Sequence, residues 1–242
     1  MNYNNPYSQQ QPPSFFESAA VQTQTNSIMK RVYVRMFIGL LISAFTALGI
    51  STSPTALAFF FGNQIVFWGM LIAMLVMAFV IPMRLMKMQS GTVLLLFCIF
   101  SALMGAWLAP IFIVYNVGTI VYTFFITAGT FGAMSVYGYF TKSNLDKMGS
   151  YLMMALFGLI ILIVVNIFLA NSTIEWIVSI VGLLIFIGLT AYDTQQVKRL
   201  AAANPEPQLA DKLATMGAMN LYLDFINLFL FLLRIFGAGG RD

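Results

Sequence analysis

Apolar runs close to the length of a bilayer crossing recur seven times along the chain, at 32–52, 64–82, 91–110, 116–140, 150–170, 174–193 and 213–236. About 20 apolar residues suffice for an α-helix to traverse the hydrocarbon layer. The pattern therefore predicts an all-α integral membrane protein, a seven-transmembrane-helix bundle occupying residues 28–242. Period-two alternation with regular turn signals is missing, which argues against a membrane β-barrel. Short connections, such as the one around Pro110, force successive helices to lie antiparallel and adjacent. Residues 1–27 are rich in Asn, Gln, Ser, Thr and Pro, and carry no charged n-region followed by an apolar h-region. They read as a disordered polar N-terminal tail, not as a signal peptide.

Composition sharpens this reading. Hydrophobic residues make up 60% of the chain and charged ones 8%, against about a quarter charged in a soluble domain. With no histidine and a single cysteine, Cys98 in the third span, an internal disulfide and a histidine or thiolate metal cluster are both excluded. The net charge of +4 does not call for a nucleic-acid partner, because ten of the twelve Lys and Arg residues share one side of the predicted bundle. Lys30, Arg31 and Arg35 stand at the first span, Arg84 and Lys87 in the second connection, Lys142 and Lys147 in the fourth, and Lys198, Arg199 and Lys212 in the sixth. The first, third and fifth connections carry none, so the positive-inside rule places the N-terminus in the cytoplasm and the C-terminus outside, with Arg234 and Arg241 against the trend. Small residues, Ser101 with Gly105, and Gly129 and Gly132 with Thr119, Thr123 and Thr127, are expected to let helix backbones approach closely.

Of the eight carboxylates, six lie in tails, in connections or at a span's edge; of the other two, Asp193 closes the sixth span and Asp224 lies near the middle of the seventh. An acidic residue at that depth costs about 2.5–3.5 kcal/mol even on insertion scales, so it needs a reason. Asn220, Asp224, Asn227 and Arg234 form one narrow polar stripe on the seventh helix, and Thr190 and Gln196 flank Asp193 on the sixth. The plain structural alternatives are a helix-end contact for Asp193, and for Asp224 a fixed cationic partner among Arg35, Arg84 and Arg234. Pairing the two aspartates requires the sixth helix to run past Asp193 or the seventh to begin on the cytoplasmic side. Ala191-Tyr192-Asp193 fits half of an intramembrane aspartyl protease pattern, but Leu221 to Asp224 reads Leu-Tyr-Leu-Asp where that pattern needs Gly-x-Gly-Asp. No serine, cysteine or lysine nucleophile has a base nearby in sequence and no phosphate-cradling glycine loop is present, so an enzyme is not expected.

The segments GLLIFIGLTAYDTQQVKRL (182–200) and GAMNLYLDFINLFLFLLRIFG (217–237) resemble the two signature segments of the Bax-inhibitor family, and TAGTFGAMSVYGYFTKSNL (127–145) is similar to a third. The resemblance covers nearly everything after residue 28 and is strongest to the bacterial inner-membrane branch. It implies a central helix wrapped by the others and a pH-sensitive calcium leak, with Asp193 and Asp224 as proton sensor and gate. It also implies an arginine near the end of the second span that bonds to the pair. Arg84 is the candidate, although Pro82 departs from the family pattern. Asn220, Asn227 and Thr190 are supporting polar candidates. Two carboxylates about 3 Å apart cannot both ionise cheaply, so the pair would share a proton and titrate as a unit. Ca²⁺, which takes oxygen ligands, is expected as the permeating ion with transient contact at Asp193 and Asp224, and no cofactor is expected. The expected partners are membrane lipid, Ca²⁺ and protons. Two other readings stand beside the leak: a proton-coupled transporter, and a regulatory partner of a membrane protease or other membrane-protein complex with the polar tail as its handle.

Overall fold

Three of the connections end on an asparagine that starts the next helix. Asn63 Oδ1 accepts from the N–H groups of Ile65 and Val66 at 3.0 and 3.3 Å. Asn116 Oδ1 accepts from Thr119 N at 2.7 Å, and Asn171 Oδ1 from Thr173 N and Ile174 N at 2.9 and 3.2 Å. These side chains satisfy backbone donors that a helix start leaves open, and do so without a charge. They are the first, third and fifth connections, whereas the others hold the cations.

The computed structural model describes residues 15–203 and 205–238, with side chains from Ala19 to Gly237. Seven long helices follow in order: α1 (Phe15–Ser51), α2 (Gln64–Arg84), α3 (Ser90–Leu108), α4 (Val117–Phe140), α5 (Asp146–Leu169), α6 (Ser172–Ala202) and α7 (Pro207–Ala238). Short helical turns at Pro54–Leu57, Ala58–Gly62, Leu85–Lys87 and Ile111–Val114 fill the connections. All seven are long and apolar enough to span a membrane, and the described residues contain no strand.

α7 forms the centre, packed by α6, α1, α4 and α3, and is buried along most of its length. Its sequence explains the position. Ala210, Ala214, Gly217 and Ala218 permit close approach in the first half, and Leu221, Tyr222, Phe225, Leu228 and Phe229 give the second half apolar bulk on every face. α5 packs on α6 and α2 on α3, both at the rim. Their outward faces expose residues such as Phe157, Phe168, Ile72 and Phe79, as lipid contact requires.

Two expectations are corrected. The sequence pattern predicts a polar tail over 1–27. Residues 1–14 lie outside the described residues, but 15–27 belong to α1. From Ser14 to Ser27 there is no Pro or Gly, and the segment is docked: Thr25 is buried, Gln24 Nε2 donates to the Pro205 carbonyl at 2.8 Å, and Tyr139 donates to Asn26 Oδ1 at 2.8 Å. Gly129 and Gly132 of α4 also do not mediate close packing. They have no neighbour within 4 Å of a built Cβ, because they stand off the inward stripe of Thr123, Thr127, Phe131, Ser135 and Gly138. On α4 the close approach occurs instead at Gly138, whose missing side chain admits the Ala191 backbone of α6, whereas Gly105 lies on the Ser43 backbone of α1 as expected.

Candidate functional site

Gly217, Asp224 and Phe231 are spaced seven residues apart on α7 and line its α6-facing stripe. Val197 lies over Gly217, while Gly182 and Phe186 lie against Phe231, the two rings 5.9 Å apart. This antiparallel register sets Asp193 opposite Asp224. It exists because α6 continues past Asp193 to Ala202 and α7 begins at Pro207, so both helices overrun their apolar segments. Gln196 and Asn220, one turn nearer the basic end, face a small cavity of about 40 Å³ between the same helices.

The carboxyl groups of Asp193 and Asp224 stand within hydrogen-bonding reach of each other. Asp224 is 3% exposed, and its Oδ2 is buried without a hydrogen-bond partner. Two carboxylate oxygens cannot hydrogen-bond without a proton between them. A bare carboxylate pair at this depth would combine like-charge repulsion with a large desolvation penalty. An arrangement of this kind is chemically able to keep one proton between the two carboxyl groups.

No cation reaches the pair among the described residues. Arg84 is exposed at the end of α2, and its side chain makes no ion pair or hydrogen bond among the described residues. Arg35 turns to Asp211, donating to its carboxylate at 2.5 Å and its carbonyl at 2.6 Å, and to Thr215 Oγ1 at 2.7 Å. Arg31 adds a second contact to Asp211 at 3.3 Å. Arg234 lies at the opposite end, 3.9 Å from Glu175. The supporting candidates are also mostly self-contained: Thr190 Oγ1 donates to the Phe186 carbonyl at 2.7 Å and Asn227 Nδ2 to the Leu223 carbonyl at 2.8 Å.

The surroundings of the pair differ in kind on either side. Towards the basic end, Thr194 donates to Ser135 Oγ at 3.3 Å, so α4 and α6 meet at one polar node. Beyond it Gln195 accepts from Leu145 N at 3.0 Å and donates to the Ser143 carbonyl at 2.8 Å, pinning the fourth connection to α6. Towards the other end the packing is aromatic: Phe225 meets Phe124 and Phe131 with centroids 5.5 and 5.6 Å away.

Sequence reasoning missed a second polar centre on the far face of α7. The Tyr222 hydroxyl is 2.6 Å from Ser43 Oγ, and Ser43 also donates to the Ser101 carbonyl at 2.7 Å. Phe97 and Phe100 stand edge-on to the Tyr222 ring. This node ties α1, α3 and α7 together. The signal available was the pairing of Gly39 with Ser43, which repeats the small-residue spacing of Ser101 and Gly105.

Comparison with known proteins agrees with this architecture. A family model described as Inhibitor of apoptosis-promoting Bax1 matches residues 25–241. The chain is similar to Inner membrane protein YbhL of Escherichia coli K12, 43% identical over 211 residues that cover 86% of this chain and 90% of the relative. An uncharacterized protein of Borreliella burgdorferi is 44% identical over 218 residues, covering 90% and 94%. The uncharacterized protein YrjE of Lactococcus lactis is 36% identical over 228 residues, covering 90% and 93%.

Proposed function

The chain belongs to the Inhibitor of apoptosis-promoting Bax1 family, and from that premise we propose that it is a pH-sensitive Ca²⁺ leak gated by Asp193 and Asp224. The observation that carries this reading is the contact between two carboxyl groups deep in the bundle, with one oxygen of Asp224 left without a partner. With the proton shared, α6 and α7 are held together and the path is closed. As pH rises the proton is lost, repulsion replaces the hydrogen bond, and the two helices part. Leak therefore increases with pH. The freed carboxylate oxygens suit a hard cation, which supports Ca²⁺ as the permeating substrate. Asp193 is the titratable group facing Asp224 across the α6–α7 contact, so the sensor is a single coupled unit.

The test is Ca²⁺ flux into proteoliposomes of the purified chain over a pH series. A leak runs downhill and grows with pH. Saturable accumulation driven by a proton gradient would replace it with a proton-coupled transporter, and inertness at every pH would remove both.

The placement proposed is the inner membrane, supported by the similarity to Inner membrane protein YbhL, with the N-terminus cytoplasmic. Seven spans put the two chain ends on opposite faces, and the cation-bearing connections share the N-terminal one. A C-terminal reporter active only outside the cytoplasm is expected. Activity confined to the cytoplasm would reverse the assignment.

A further inference from the structure

A cavity of about 190 Å³ opens between the end of α4 and the last turns of α6, lined by Thr141, Lys142, Gln195, Lys198 and Arg199, with Gly138 and Tyr139 at its inner wall. We propose that it holds the phosphate of an anionic phospholipid headgroup. Lys198 is fixed in place, its Nζ 2.6 Å from the Tyr139 carbonyl and 4.3 Å from that ring's centroid. An ammonium has three donors, so at least one remains for a ligand. Lys142 is exposed and makes no hydrogen bond or ion pair among the described residues. Arg199 is already engaged by Asp146, Asn144 and Gln195 at 2.7, 3.0 and 2.7 Å, which offsets its charge and leaves the two lysines as the uncompensated cations.

The depth selects the source of the phosphate. The cavity begins where α4 ends at Phe140, and Tyr137, Phe140 and Leu200 beside it are exposed as lipid-facing side chains. Aromatic residues at the end of a span mark the headgroup level, and basic pockets between helices there suit anionic headgroups. A phospholipid phosphate is presented at that level by the bilayer itself, with its acyl chains free to lie along α4. Phosphate of a soluble metabolite carries the same chemistry but has no such anchorage.

The experiment is native mass spectrometry of the full chain in detergent, titrated with phosphatidylglycerol or with phosphatidylcholine of the same acyl chains. Preferential retention of phosphatidylglycerol is expected. Lys142→Gln should weaken it about fivefold, the loss that one basic residue near an anionic lipid surface represents. Lys87→Gln, at the same end of the bundle but outside the cavity, should leave it unchanged. Glycerol phosphate at equal concentration should not displace the lipid. The proposal is overturned by equal retention of the two lipids, by Lys142→Gln binding like the parent or like Lys87→Gln, or by glycerol phosphate binding as tightly as the lipid, which would assign the site to a soluble phosphate. Because Lys142 has no partner among the described residues, its substitution leaves the fold intact and the result readable.

Discussion

Asp224→Asn is expected to abolish most of the rise of Ca²⁺ flux with pH. The amide keeps the shape and can still hydrogen-bond to Asp193, but it cannot acquire the second negative charge. Two unit charges 4 Å apart at an effective dielectric constant of 20 repel by about 4 kcal/mol. Since about 5.5 kcal/mol moves a two-state equilibrium from 1:99 to 99:1, this repulsion is large enough to drive opening, and its removal large enough to silence the response. Asp193→Asn should act similarly, and the double variant should add little to either, because all three dissolve one coupled pair. Flux over a pH series in proteoliposomes is the measurement, with thermal melting to establish that each variant folds. An Asp224→Asn protein that folds and titrates like the parent would make Asp224 a structural residue and end the gating proposal.

Gly105→Val is expected to give the largest loss of stability, about 2–3 kcal/mol. A Cβ at Gly105 would meet the carbonyl oxygen and Cα of Ser43 and the Cβ of Thr46. Backbone atoms cannot rotate away as the end of a flexible side chain can, so α1 and α3 must separate. That movement also breaks the Ser43 bonds to the Ser101 carbonyl and to Tyr222. Gly129→Ala, which meets nothing within 4 Å, should stay within about 0.5 kcal/mol of the parent. Reversible unfolding in mixed detergent micelles distinguishes the two. Equal effects at Gly105 and Gly129 would show that the α1–α3 contact yields.

Hydrophobic run length made the seven helices legible, since no other element buries so many consecutive apolar residues. It could not reveal where they stop. α6 and α7 run beyond their apolar segments into polar sequence, to Ala202 and from Pro207, and this overrun sets the register that brings Asp193 to Asp224. The two aspartates stood out because a carboxylate in an apolar run has few explanations. Tyr222 did not, because a tyrosine between leucines resembles packing until its hydroxyl is seen beside Ser43. The cationic partners of Asp211 were equally hidden: Arg35 lies 176 residues away in sequence, and nothing local marks the pair. Arg84 illustrates the converse. Position near a span's end suggested a bond to the aspartates, yet the side chain is exposed, with no ion pair among the described residues.

The central position of α7 bears on biosynthesis. The ribosome produces this helix after α1, α3, α4 and α6, the four that pack around it, so the earlier helices enter the bilayer before the element they enclose exists. Their inward polar groups, among them Ser43, Thr127 and Ser135, must be sheltered by the insertion machinery or by one another until α7 arrives. Asp224 meets the reverse problem, needing a companion at the moment it leaves the translocon. α6 precedes it by one short connection, so insertion of α6 and α7 as a hairpin delivers both carboxyl groups to the membrane together, already able to share a proton.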